Sequence, residues 1–371
     1  MNIPVNNSYI EIDIATIREN VSAIAESLPA SCGIIPVLKD DGYGLGSVRI
    51  AQALEDMSEV MCIAVAHVSE GLELRAAGIK KPILVMANAL PFQLEAALKN
   101  DLTLTCGRPG IVSEIADTAK KLDKTAAVHI KIDTGLHRIG MEPGDELERV
   151  IDELRLHADS VKVCGVFSHF SDAFDHARCR REFECFNHAL TQLRSAGIDT
   201  GVHHISCSAS SELYPEFYMD AVRIGRRLYM DNPQEPLGNI REAVSWNTYI
   251  TALHERHAGD RIGYGEGKIL EKDCRIATIG VGYGDGLNKK LADVEAPVLV
   301  NGRRCRLLNC CMDQSMIDVS DVDCRVGDTV TFFGHNGGDC ISSQWLAELI
   351  NADEGCGLTS AISDRVARIY K

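Results

Sequence analysis

Apolar residues follow two rhythms along this chain. Between residues 34 and 224, short apolar runs alternate with longer stretches whose apolar positions recur every three or four residues. The runs predict strands at Ile34–Leu38, Val60–Ala64, Ile83–Met86, Leu102–Thr105, Ala126–Ile132, Val161–Phe167, Val202–Ile205 and Ala221–Ile224. Between most of them lie amphipathic helices, among them Ser47–Leu54, Val68–Ala77, Phe92–Lys99, Pro109–Leu122, Asp145–His157 and Arg178–Ala196. Ahead of all these, Tyr9–Ile14 alternates as a short strand and Ala15–Leu28 has helical spacing. Eight strands alternating with helices predict an α/β fold, a closed parallel (β/α)8 barrel of the TIM type, over residues 1–238. The first strand is free to join a second domain.

After Tyr229 the rhythm stops. Pro233 and Pro236 make a break, and short strands follow at Ala243–Glu255, Ile276–Gly282, Val298–Val300, Cys305–Leu308, Ser315–Val319 and Thr329–Phe333, separated by Gly-Asp, Asn-Gly and Gly-Gly turns. Residues 239–371 therefore read as a mostly-β domain, with one helix at Ser343–Asn351 and a closing segment, Leu358–Ile369.

A length of 371 residues and 45% hydrophobic content suit two packed domains. The formal charge of −15 argues against nucleic acid or an anionic membrane as partner, since either calls for a basic face. Met1–Asp13 lacks the basic and apolar regions of a signal peptide, and no run approaches a membrane span, so a cytoplasmic location is expected. Fourteen cysteines are scattered without paired zinc spacing, and buried free thiols are the expectation.

The candidate chemistry gathers where strands end, which in such a barrel is the catalytic face. The first barrel strand runs into Lys39, then into a glycine-spaced loop with Tyr43. A lysine among apolar side chains loses preference for its ammonium form and becomes a nucleophilic amine suited to Schiff-base chemistry; a solvated lysine capping a strand is the alternative. Later strand ends offer Lys131 with Arg138, then His169, then Cys207 and Ser208, then Arg223, Gly225 and Arg226. Ser208, Gly225 and the main chain of Arg226, with Tyr43 reaching across, suit a phosphate group. A phosphate beside a reactive lysine points to pyridoxal 5′-phosphate.

The ordered segments Lys39-Asp40-Asp41-Gly42-Tyr43-Gly44, Lys131 to Gly140, Ser168-His169-Phe170, Arg223-Ile224-Gly225, Ile262-Gly263-Tyr264-Gly265, Gly282 to Gly286 and Cys311-Met312-Asp313-Gln314 together resemble the alanine racemase family over nearly the whole chain. The resemblance implies an amino-acid racemase dependent on pyridoxal phosphate and acting on a small amino acid, L-alanine to D-alanine. It implies that Lys39 holds the cofactor and serves as one base, and that Tyr264 of a partner subunit serves as the other in a head-to-tail homodimer. It further implies that Arg223 faces the pyridine nitrogen, that His169 bridges Arg223 and Tyr264, and that Arg138 neutralises the substrate carboxylate or the phenolate. Met312 and Asp313, also from the partner, would border the substrate, and Tyr283 would line the entrance. Lys131 matches a position carbamylated in some relatives, with an ordinary buried lysine as the alternative.

Departures from the family pattern are Asp40 and Gly42 after the lysine, Leu45, Cys207 where asparagine is common, and Asn309 where arginine is common. Asp364 replaces a tyrosine that walls the methyl pocket in relatives. Its carboxylate would favour serine or a basic amino acid as substrate, unless it merely pairs with Arg365. The rival readings are a non-catalytic cofactor carrier, which would resemble the barrel alone, a decarboxylase on the same two-domain plan, and a regulator descended from the family.

Overall fold

The structure, a computed structural model, describes residues 5–230, 239–264, 267–352 and 356–371. The break expected at Pro233 and Pro236 lies outside the described residues, as does Gly265. In chain order the strands are β1 (Ser8–Ile12), β2 (Gly33–Pro36), β3 (Ile63–Val65), β4 (Ile83–Val85), β5 (Thr103–Cys106), β6 (Ala126–Lys131), β7 (Val161–Phe167), β8 (Val202–His204) and β9 (Ala221–Ile224). Strands β3 to β8 pair in parallel in sequence order, and β2 pairs in parallel with β9. The ring closes through bridges from β2 to Val60 and from Val37 to Ala64, and through the Arg223 N–H to the Ser206 carbonyl at 3.0 Å. Strands β3 and β4 are buried at every residue, as strands covered on both faces must be.

The intervening helices present one apolar stripe each to this ring. On Ile111–Lys121, the buried residues Ile111, Val112, Ile115, Ala116 and Ala119 fall on one side, and the helix starts from Gly110 at φ +84°. The strand expected from Val60 begins only at Ile63, with Val60 contributing a single bridge.

The remaining strands are β10 (Val244–Arg256), β11 (Arg261–Ile262), β12 (Lys268–Ile269), β13 (Cys274–Ile279), β14 (Pro297–Val300), β15 (Arg303–Cys310), β16 (Ser315–Asp318), β17 (Thr329–Asn336), β18 (Asp339–Ile341) and β19 (Ala367–Tyr370). Among the described residues, β1 lies in the nine-stranded sheet of this second unit, antiparallel to β10 and parallel to β19. The closing segment, expected as one piece, splits into a short helix at Cys356–Ser360 and β19.

This tail reaches the catalytic face of the barrel. Arg368 Nε donates to the Gly44 carbonyl and Tyr370 Oη to the Leu45 carbonyl, each at 3.0 Å. The turn that follows Lys39 is thereby fastened to the β domain.

Candidate active site

Where β2 ends, the chain does something the glycine-spaced loop did not announce. Asp40, Asp41, Gly42 and Tyr43 all take left-handed dihedrals, with φ between 51° and 64°. For L-residues this costs about 1–2 kcal/mol each, least for glycine and aspartate. Fixed partners offset the cost: Asp41 Oδ1 accepts from the Ser47 N–H at 2.8 Å, and the Asp40 N–H donates to Glu70 Oε1 at 2.6 Å. The turn carries Lys39 and Tyr43 on the lip of a cavity of about 480 Å³ in the barrel mouth. Lys39 itself is exposed in the single chain. The expected apolar surroundings are therefore not met, because the turn lifts the lysine to the open rim instead of leaving it inside.

On the opposite lip, Ser208 opens the helix Ser208–Leu213 and Arg226 opens a 3₁₀ turn directly after Gly225. Ser208 Oγ accepts from the Gly225 N–H at 3.2 Å, which keeps its own O–H free to donate. A Cβ at Gly225 would lie 2.2 Å from Tyr43 Oη, so only glycine lets the phenol close over this spot. Two hydroxyls and the Arg226 main-chain amide converging beside a cation-rich wall form a donor set that fits a phosphate.

That wall is built on Arg223, which is buried. Its Nη2 donates to His169 Nδ1 at 2.9 Å and to the Ser168 carbonyl at 2.8 Å, and its Nη1 donates to His204 Nδ1 at 2.9 Å. A guanidinium only donates, so the tautomers follow: both imidazoles accept at Nδ1 and carry hydrogen on Nε2. His204 Nε2 then donates to His129 Nδ1 at 3.1 Å. Burial, reinforced by the charge of Arg223, holds His169 and His204 well below the usual imidazole range and His129 at about 4. All three rings are neutral near pH 7. These bonds leave from the terminal nitrogens of Arg223, and its Nε–H takes part in none of them.

Lys131 is the buried lysine of this site. Its Nζ donates to the Ile132 carbonyl at 2.7 Å, and burial with Arg223 beside it pushes the amine from 10.5 down to about 7. Lys131 Nζ and the Arg223 guanidinium lie 5.4 and 5.6 Å from the ring centre of Phe167. Arg138 lines the same cavity from a loop pinned by Asp133 Oδ1, which accepts from the N–H groups of Gly135 and His137 at 2.9 and 3.0 Å. Cys207 lines it as well.

His129 and His204 escaped the sequence reading. Strand parity could have found the first, since His129 and Lys131 share one face of β6.

The β-domain candidates do not line the cavity of their own chain. Tyr264 is 85% exposed, Met312 52% and Tyr283 38%. Tyr283 and Met312 are neighbours, since the Gly284 N–H donates to the Met312 carbonyl at 2.8 Å. Arg365 bridges Asp285 and Asp313, with its Nη2 at 2.8 Å from Asp313 Oδ1. Asp364 is exposed; the pairing with Arg365 considered above goes to those two aspartates instead. Asn309 packs against Gly263, where an added Cβ would lie 2.4 Å from its Nδ2, so it abuts the turn that presents Tyr264.

Fold and cavity together define a (β/α)8 barrel joined to a mostly-β unit, with a cavity in the C-terminal mouth, the place where enzymes of this barrel type keep their chemistry. Residues 12–233 match the family model for the alanine racemase N-terminal domain, and residues 243–370 match that for the alanine racemase C-terminal domain. The chain belongs to the alanine racemase family and is an amino-acid racemase, an isomerase. It is 35% identical to the alanine racemase of Halothermothrix orenii, over 98% of this chain and 97% of that one. It superimposes on the alanine racemase of Clostridium difficile 630 with a TM-score of 0.91 at 30% identity, covering 100% of this chain and 97% of that one. A Bartonella henselae alanine racemase with covalently bound pyridoxal phosphate aligns with a TM-score of 0.87 over 99% of this chain and 100% of that one; at 23% identity this likeness shows the fold alone. Among the described residues no helix is long and apolar enough to cross a membrane.

Proposed function

We propose that this chain interconverts L- and D-alanine with pyridoxal 5′-phosphate, as a cytoplasmic homodimer whose two sites are each completed by the other subunit. The observation that carries this reading is the single cavity lined by Lys39, Tyr43, His169, Ser208, Arg223, Gly225 and Arg226. Membership of the alanine racemase family, whose cofactor is pyridoxal phosphate, supports the choice of cofactor. The described cysteines are free thiols, which suits a reducing compartment.

Lys39 would hold the cofactor through its amine, while Tyr43, Ser208 and the Arg226 amide would hold its phosphate against Gly225, whose own N–H is engaged by Ser208 Oγ. When bound, the cofactor supplies an electron sink that acidifies the α-hydrogen of an attached amino acid. Arg223 would face the ring nitrogen and, being unable to give up its proton, would leave that nitrogen unprotonated. Racemisation needs a proton carrier on each face, and Lys39 serves one of them. Tyr264 of the partner subunit serves the other. His169 accepts from Arg223 at Nδ1, so its Nε2–H is available to donate to the phenolic oxygen. Arg138 neutralises the substrate carboxylate.

Met312, Asp313 and Tyr283 of the partner border the entrance, and their exposure in the single chain supports a covering second copy. Lys131, partly neutral at pH 7 and near two guanidinium groups, is suited to adding carbon dioxide as a carbamate, which would anchor Arg138.

The test is a panel of L-alanine, L-serine, L-lysine and L-arginine, each incubated with enzyme and read by chiral chromatography. Alanine should convert fastest, and Lys39→Ala should lose both the visible cofactor absorbance and the conversion. Faster conversion of serine or a basic amino acid overturns the substrate assignment. No conversion of any of them returns the chain to the carrier reading.

A further inference from the structure

Behind the proposed phosphate cradle lies an ion pair that no step above uses. Arg227 and Glu212 meet with side chains 1% and 0% exposed, and Arg227 Nη1 also donates to the Met230 carbonyl at 3.1 Å. Neither residue lines the cavity. Glu212 belongs to the helix Ser208–Leu213 and Arg227 to the 3₁₀ turn Arg226–Leu228. Those are the two pieces of chain that carry the cradle.

Ser208 and Glu212 are four residues apart and project from one side of their helix. That side meets the Gly225 turn twice: in front, where Ser208 Oγ accepts from the Gly225 N–H, and behind, where Glu212 meets Arg227. Withdrawing both charges from water costs about what their attraction returns, so an apolar pair of similar volume would fold as well or better. An apolar contact is non-directional and tolerates sliding, whereas the attraction of two opposite buried charges weakens as they separate and so favours one placement of helix against turn. The pair is therefore accounted for by what it fixes more than by stability it adds.

We infer that Arg227 and Glu212 are positioning residues that hold the Ser208 helix in register with the Gly225 turn, so that the hydroxyls and the Arg226 amide converge on the phosphate of the cofactor. The inference rests on the cradle reading of the preceding section and extends it to residues outside the cavity.

The test compares full-length wild type, Arg227→Lys and the double variant Glu212→Leu/Arg227→Met, each titrated with pyridoxal phosphate and, separately, with pyridoxal, followed by visible absorbance. The double variant removes both charges of the pair together, and its thermal melting checks that it folds. It should bind pyridoxal phosphate about tenfold or more weaker, while pyridoxal, which lacks the phosphate, should bind as it does to wild type. Arg227→Lys should recover part of the loss. Equal weakening for both ligands, or none for either, overturns the positioning role while leaving the cradle intact. A wild type that binds both ligands equally well overturns the cradle itself, and the inference with it.

Discussion

Lys131→Met keeps the volume of the side chain and removes its charge from the barrel interior. In the folded chain this amine titrates at about 7, against 10.5 for a free lysine, because burial and the nearby Arg223 oppose its charged form. At roughly 1.4 kcal/mol per pH unit, holding the cation inside costs about 5 kcal/mol. Methionine forfeits the hydrogen bond to the Ile132 carbonyl, a net loss of about 1 kcal/mol. The variant should therefore be more stable than wild type by about 4 kcal/mol below pH 7, where both folded and unfolded wild type carry the proton and the whole penalty is present. Between pH 7 and 10.5 only the unfolded wild type keeps the proton, so its stability climbs with pH and the margin shrinks. Above about 10.5 both states are neutral and wild type should lead slightly. Urea denaturation of both proteins from pH 6 to 11, in buffer freed of carbon dioxide, measures the margin. Thiols and phenols titrate in both proteins and cancel in the difference. A margin that stays flat with pH, or a wild type that is the more stable at pH 6, refutes the placement of a buried cation here.

Gly225→Ala should fold normally, since its φ lies in the ordinary negative range, yet push Tyr43 off the cradle. Cofactor affinity, read by visible absorbance, should fall about tenfold, and unchanged affinity contradicts the cradle geometry. His129 titrates at about 4 instead of 6.5, so the unfolded chain takes up a proton first and stability drains away as pH falls from 6.5 toward 4, by roughly 3 kcal/mol. Ring resonances of His129 and His204 that show protonation by pH 6 would defeat this. Tyr264→Phe should retain the cofactor while losing conversion in both directions, since each turnover uses both proton carriers, with α-hydrogen exchange persisting for one enantiomer only; full conversion rates would remove the phenol from the mechanism.

The barrel was legible because its two periods differ so plainly, three to four for the helices and continuous burial for the strands. What stayed hidden depended on contacts between distant segments. The left-handed turn after Lys39 has a local sign in Asp40-Asp41-Gly42, the residue types that best tolerate positive φ, but Tyr43 joins them only because Ser47 and Glu70 supply fixed partners. The histidine chain behind Arg223 links β6, β8 and β9, and only the parity of His129 with Lys131 hinted at it. Glu212 and Arg227 carry no spacing signal at all, because a buried ion pair between a helix and the next turn obeys no period. Asp364 drew attention by type, yet its backbone leaves it in solvent.

The two lysines exchange the environments that type and position alone suggested. Lys131 ends β6 facing the barrel interior, where Arg223 and burial keep its amine half neutral, while Lys39 stands one residue past its strand on a turn that points it outward. An amine at an open rim remains accessible to an incoming aldehyde, and the desolvation that racemisation requires must then come from whatever closes the mouth. Within one chain Tyr264 stands exposed on the β domain while Lys39 and Arg138 stand exposed at the rim. Two copies docked head to tail would bury each set against the other and supply cover and second base in the same contact. Under this arrangement, dilution that separates the copies should abolish turnover faster than it releases cofactor, since every residue proposed to hold the cofactor belongs to one chain.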